Sequence, residues 1–202
     1  MFRLGAIALV ALLVSCDGQA GAKSTLPIHD GVGGAFSAES SLGRPASLSD
    51  FEGKVVLLFF GYTSCQDICP ATLAHLGSLM QGLGPDADGV QVLLVTVDPE
   101  NDSADRLREY LERFDGRFVG LTGSREQTDR IASLFMAEHD RSHGTKVSME
   151  HNRSKAFVKS GYLYSHSQQI YLLDKEGRTR ALFFAGSPLA EMKGAVLALL
   201  DE

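Results

Sequence analysis

Positive charge is in short supply in this chain: 19 lysines and arginines stand against 25 aspartates and glutamates, the net charge is −6, and no basic run occurs. A nucleic-acid binder needs a basic face to displace counterions from phosphates, so that class is excluded. Long apolar runs are also missing. The N-terminal one, Leu4 to Val14, falls well below the roughly 20 residues of an ordinary membrane span. Cysteine is scarce, with three in 202 residues. What remains is 44% hydrophobic and 22% charged, enough for one well-packed domain and short for two.

The first fifteen residues have the layout of a secretory signal, with Arg3 ahead of the apolar segment. Leu13-Val14-Ser15-Cys16 resembles the bacterial lipoprotein processing box, in which the cysteine is lipidated and becomes the new N-terminus. Cys16 is then an anchor, and Asp17 resembles the signal for retention at the inner membrane. The expectation is an exported protein, lipid-anchored to the outer face of the cytoplasmic membrane and facing the periplasm. Residues 16–32, rich in Gly, Ala and small polar residues, read as a tether, and residues 33–202 as the folded domain.

With Cys16 assigned to the anchor, one pair of thiols is left, Cys65 and Cys69, in a compartment that permits disulfides. They follow the apolar run Val55 to Phe60, which reads as a buried strand, and so lie where a strand hands over to a helix. On a helix, four residues rise about 6 Å and complete about one turn, which would bring both sulfurs to one side within reach of a disulfide. Two thiolates could equally converge on one metal ion. A helix N-terminus nearby would lower thiol pKa and favour either use. A bridge, a redox couple and a metal clamp all remain open on spacing alone.

Along the rest of the chain, short strands are expected over Gly33–Ser37 and Pro45–Leu48 around a turn at Leu42-Gly43-Arg44, then a strand over Lys54–Phe60. Leu73, Leu76 and Met80 predict a helix over Pro70–Gln81. A strand over Gln91–Val97, a helix over Ser103–Phe114 capped by Asp102 or Ser103, a strand over Phe118–Leu121 and a Ser124-capped helix to Phe135 follow. From Ala137 to Ser165 the patterning stops, and a stretch this long is expected to be a functional excursion. A hairpin of Gln169–Leu173 and Arg180–Ala185 and a closing helix, Leu189–Leu200, complete the chain. This order fits an α/β sandwich of the thioredoxin type, a mixed sheet with helices on both faces.

Three segments, in order, carry a resemblance to a known family: Gly53 to Pro70 (GKVVLLFFGYTSCQDICP), Val97 to Asp102 (VDPEND) and Tyr164 to Asp174 (YSHSQQIYLLD). The chain resembles the SCO/SenC copper proteins that help assemble cytochrome c oxidase. The resemblance implies a thioredoxin-like fold and copper held by Cys65, Cys69 and His166, with Asp98 near the metal face as an outer-shell or partner-facing residue. It implies the copper-bearing oxidase subunit as partner and exchange with other periplasmic copper chaperones; a monomer is the default expectation. Reduced copper favours soft thiolates, and imidazole suits it as a third donor, so the chemistry agrees. The chain departs from the family pattern at Gln66, where proline is common, and at Glu100-Asn101, where a basic residue is common.

Of the other histidines, His139, His143 and His151 lie in the unpatterned stretch as solvated residues or a weak accessory copper site. His29 and His75 are assigned no role. Three functions compete. First is a copper metallochaperone, not an enzyme, that supplies the CuA centre of the oxidase. Second is a thiol-disulfide oxidoreductase that keeps the oxidase subunit's cysteines reduced, with Cys65 attacking and Cys69 resolving. Such reductases usually carry Cys-x-x-Cys and a proline before the facing strand, and this chain has three residues between its cysteines and Ser165-His166-Ser167 at that place. Third is a peroxiredoxin-like activity, for which the Pro-x-x-x-Thr-x-x-Cys arrangement is missing.

Overall fold

The computed structural model describes residues 26–137, 139–141, 164–166 and 168–202, with 139–141 and 164–166 described by their backbone alone. Cys16, His143 and His151 therefore lie outside the described residues, as do the expected signal and most of the tether. Among the described residues no helix is long and apolar enough to cross a membrane.

The elements in chain order are β1 (Ser37–Ser40), β2 (Ala46–Ser47), β3 (Val55–Gly61), α1 (Ile68–Leu83), β4 (Val90–Thr96), α2 (Ala104–Leu111), β5 (Val119–Thr122), α3 (Arg125–Leu134), β6 (His139–Arg141), β7 (Tyr164–His166), β8 (Gln169–Leu173), β9 (Thr179–Phe184) and α4 (Leu189–Leu200). Seven strands form one sheet in the order β2-β1-β5-β4-β3-β8-β9. The central three run parallel, with β3 paired to β4 and β4 to β5, while β1, β8 and β9 pair antiparallel. The expected thioredoxin-like mixed sheet is what the chain forms.

Why β3 sits at the centre is visible in its composition: VVLLFFG is apolar at every position and every residue is buried. A strand covered on both faces needs no polar alternation. Val55, Leu57 and Phe59 pack toward α1, α2 and α4, against Leu73, Leu76, Leu107, Leu111, Met192 and Val196. Val56, Leu58 and Phe60 face the other way, toward Ile131 and Ala132 of α3 and the rings of Phe36, Phe135 and Tyr171. Phe60 stands edge-on to Tyr171 with ring centroids 6.0 Å apart, and Phe135 lies 5.2 Å from Tyr171. Each such buried side chain removes roughly 1.5–3 kcal/mol worth of apolar surface from water. These layers fix the strand that ends at the cysteines.

Some expected boundaries shift. The strand placed at Gly33–Ser37 begins only at Ser37, because Gly33 has φ +103, a left-handed conformation incompatible with a strand, and its N–H donates to the Leu134 carbonyl. Helix α1 starts two residues ahead of Pro70, which is tolerated because first-turn N–H groups have no intrahelical acceptor anyway. Helix α2 ends at Leu111, and Phe114 N–H donates to Leu111 in a tighter closing turn. The unpatterned stretch contributes a two-stranded ribbon of β6 and β7, apart from the main sheet.

Candidate metal centre

The carboxyl ends of β3 and β4 lie side by side, with Gly61 opposite Thr96. At such an edge the chain leaves the sheet, and functional groups gather there. Residues Tyr62 to Asp67 form the connection to α1, and they hold Cys65. Cys69 is in the first turn of α1 and is 1% exposed. Cys65 is half-buried, and no disulfide joins the two sulfurs.

The pair does not sit on one helical turn as the spacing suggested, because Cys65 precedes the helix. What brings the sulfurs together is a cap. Asp67 occupies the N-cap position without a capping side-chain bond, and the Cys69 N–H donates to Cys65 Sγ at 3.4 Å. A thiol thus takes the place that Ser or Asp usually fills at a helix start. Gly61 makes room for the arrangement: a Cβ there would stand 3.0 Å from Cys69 Sγ and 3.1 Å from Leu94 Cδ1.

The expected lowering of thiol pKa does not hold for Cys69. Its hydrogen bond with Cys65 acts first, burial second and the charge of Cys65 third, and together they push the thiol well above its ordinary value against the opposing Tyr62 backbone N–H. Cys69, buried against Cys65, holds its proton, since a second thiolate would face the first with little solvent to screen it. A cation that replaces that proton removes the repulsion. Tyr110 lies close enough to feel the same charges: burial first, then Cys69, Cys65 and Asp102, raise its hydroxyl. That hydroxyl is buried and, among the described residues, has no hydrogen-bond partner.

Asp98 follows β4 and is 2% exposed. Its carboxylate accepts 3.0 Å bonds to both oxygens from the Asn101 side chain, and its N–H donates to Thr96 Oγ1. Glu100 pairs with Arg125, which also donates to the Val97 carbonyl, tying this turn to α3. Ser103, not Asp102, caps α2 by accepting from Arg106 N–H. Asp102 turns inward and is fully buried. It accepts from Thr63 N at 3.0 Å, Thr63 Oγ1 at 2.5 Å and Thr96 Oγ1 at 2.7 Å. Sequence reasoning missed Asp102, Thr63, Arg106 and Tyr110. The only signal was the i, i+4 spacing of Asp102 and Arg106.

His166 ends β7, three residues before β8 begins. The second residue of β8, Ile170, pairs with Phe59 near the end of β3. Three residues separate His166 from the start of β8, a span of at most about 10 Å. The ribbon register sets His166 opposite His139. Among the described residues no group of three or more His, Cys, Asp or Glu side chains converges on one point. The described part of the centre is the two sulfurs. His75 is engaged elsewhere, with Nε2 2.8 Å from the Ser187 carbonyl.

A model of the SCO1/SenC family matches residues 26–201. This chain belongs to the SCO1/SenC family. It is 32% identical over 166 residues to protein sco1 of Schizosaccharomyces pombe, covering 82% of this chain and 59% of that protein. It is 29% identical to a SCO2-like protein of Rickettsia conorii, covering 80% and 73%. The chain thus spans only part of the curated relatives it matches. Among SCO1/SenC structures, Bradyrhizobium japonicum ScoI with copper bound is similar at a TM-score of 0.70 and 27% identity, over 84% of this chain and 99% of that one. Apo Sco1 of Thermus thermophilus follows at 0.67 and 30%, over 90% and 98%.

Proposed function

We propose that this protein is a copper metallochaperone that holds copper through Cys65, Cys69 and His166 and delivers it to the CuA centre of cytochrome c oxidase during assembly. The observation that carries the reading is the dithiol itself, two packed sulfurs at a sheet edge, one capping the helix that bears the other. Support comes from the relative whose structure holds copper. Two thiolates and one imidazole suit a soft ion and leave the coordination low, so an acceptor's ligands can exchange in stepwise. Loading releases the thiol protons, so affinity falls on acidification. Lipidation at Cys16 would keep the domain on the outer face of the cytoplasmic membrane, where the copper-bearing oxidase subunit is the recipient and other periplasmic chaperones are the source.

One observation favours a second reading. Cys65 is half-buried and Cys69 buried, with its thiol held protonated, the polarity of an attacking and a resolving cysteine. A Cu(I) competition titration on a soluble form starting after Cys16 separates the two. The expected result is one copper per chain, lost or strongly weakened in Cys65→Ala, Cys69→Ala and His166→Ala. Unchanged affinity in His166→Ala, together with turnover in an insulin-reduction assay, moves the assignment to a thiol-disulfide oxidoreductase.

A further inference from the structure

The connection that carries Cys65 is latched to α2 by a polar chain no part of the copper chemistry requires. Asp102 is fully buried, and the nearest cation among the described residues, Arg106 Nε, stands 3.9 Å away. Its oxygens are spent on Thr63, through both the backbone N–H and the hydroxyl, and on Thr96. Arg106 then closes over the outside, donating from Nε to Thr63 Oγ1 at 2.8 Å and from Nη2 to Ser64 Oγ at 3.2 Å. The Arg106 side chain remains about half exposed. Two consecutive residues immediately before Cys65 are thus held, Thr63 by Asp102 and Arg106 and Ser64 by Arg106, while Gln66 and Asp67 immediately after it are exposed.

A buried carboxylate costs several kcal/mol unless its hydrogen bonds are satisfied, so this one specifies its partners tightly. Cys69 is fixed independently, by its place in α1 and by the space over Gly61. The separation of the sulfurs therefore depends on where the latch sets the Cys65 side. The two working states of such a pair need different separations: a disulfide requires sulfurs about 2.05 Å apart, whereas thiols, or thiolates sharing a metal, stand at non-bonded distance. A contact shifts an equilibrium only by its difference between the two states.

We infer that Thr63, held by Asp102 and Arg106, is a positioning residue that sets the Cys65–Cys69 spacing in the open dithiol form, the form able to load copper, and opposes closure to the disulfide. The inference rests on Cys65 and Cys69 being the working pair. The latch acts on the sulfurs only through the backbone, so its removal deletes neither thiol and frees their separation to change.

The test is a redox titration of the full-length, metal-free chain against glutathione and glutathione disulfide. In that exchange the two thiols give up two electrons and two protons, one S–S bond forms, and one glutathione disulfide becomes two glutathiones. Thr63→Val keeps size and the backbone N–H but removes the hydroxyl; it is expected to move the equilibrium about tenfold toward the protein disulfide, the effect of one charge-assisted hydrogen bond. Arg106→Ala, on an exposed side chain whose loss leaves the core intact, is expected to move it about threefold the same way. Thr63→Ser restores the hydroxyl and is expected to stay within about twofold of the native chain. Cu(I) affinity is expected to fall in the same order. An equilibrium unmoved in Thr63→Val and Arg106→Ala, a shift toward the dithiol, or a Thr63→Ser shift as large as that of Thr63→Val overturns the latch. Native protein that binds no copper overturns the copper reading instead, and the glutathione equilibrium still reports on the latch.

Discussion

Two buried aspartates, one at each edge of the sheet, are held in opposite ways. Asp174, at the end of β8, is surrounded by cations: Arg178 reaches it at 2.7 Å and Arg180 at 3.0 Å, and the N–H groups of Glu176 and Arg178 donate to it as well. Burial pulls its carboxyl upward, but the hydrogen bonds from Arg178 and Arg180 outweigh that and hold it below the usual range. Arg180 also binds Glu202 and the Leu26 carbonyl, so one guanidinium gathers the start and the end of the described chain. Asp102, at the cysteine edge, is held by hydroxyls and a backbone N–H, beside thiols whose state can change. The first edge ties the chain ends to the sheet; the second holds the connection that carries Cys65.

The comparison breaks most sharply at Arg180. Removing it leaves the Asp174 carboxylate with Arg178 as its one cation among the described residues and cuts the link to Leu26 and Glu202, so Arg180→Ala is expected to lose about 3–5 kcal/mol in urea unfolding, the cost of breaking a buried pair. Copper stoichiometry should stay at one per chain. A large loss of copper binding in a still-folded Arg180→Ala would show the edges to be coupled.

The pH scale sharpens the same contrast, because the two edges fail at opposite ends. The Asp174 value is depressed in the fold, so its stabilisation is present above the ordinary carboxylate value near 4 and is lost as pH falls below it. The Cys69 value is raised, so its contribution is present below the ordinary thiol value of 9.0 and is lost as pH rises beyond it. Metal-free protein should therefore lose about 1.4 kcal/mol per pH unit above pH 9, read by urea unfolding at stepped pH. In Cys69→Ser that decline should begin only near pH 10, where the raised Tyr110 takes over. An unchanged profile in Cys69→Ser would show that the thiol is not the group responsible.

The smallest effect belongs to Tyr110. Its hydroxyl is buried with no partner among the described residues, so Tyr110→Phe deletes a desolvation cost and no bond. It is expected to leave stability within about 1 kcal/mol of native or raise it, as measured by thermal unfolding. A loss of 2 kcal/mol or more would mean that the hydroxyl has an acceptor beside the thiols.

Much of the architecture was legible in the chain because periodicity reports burial directly. Helix α4 has the expected bounds, and β3, β4, β8 and β9 fall within a residue or two, since short apolar runs rich in β-branched and aromatic residues, such as VVLLFFG, favour strands buried on both faces. The errors came where a local rule met a tertiary partner. Gly33 was counted toward a strand, but its carbonyl-bound N–H and positive φ belong to a contact with α3. Asp102 looked like a cap because it precedes a helix, and only the arrival of Thr63, 39 residues away, turns it inward. The i, i+4 geometry assumed for the cysteines failed because the helix starts three residues after Cys65.

The chain by itself determined the sheet core, the placement of a dithiol between β3 and α1, and family membership, because apolar patterning and an ordered set of motifs are properties of neighbours in sequence. Tertiary structure decided that the hydrogen bond with Cys65 and burial keep the Cys69 proton on, and that a carboxylate on one connection holds the backbone of another. The second is a contact between residues 39 apart in sequence, and desolvation acts only once the chain has closed around the group.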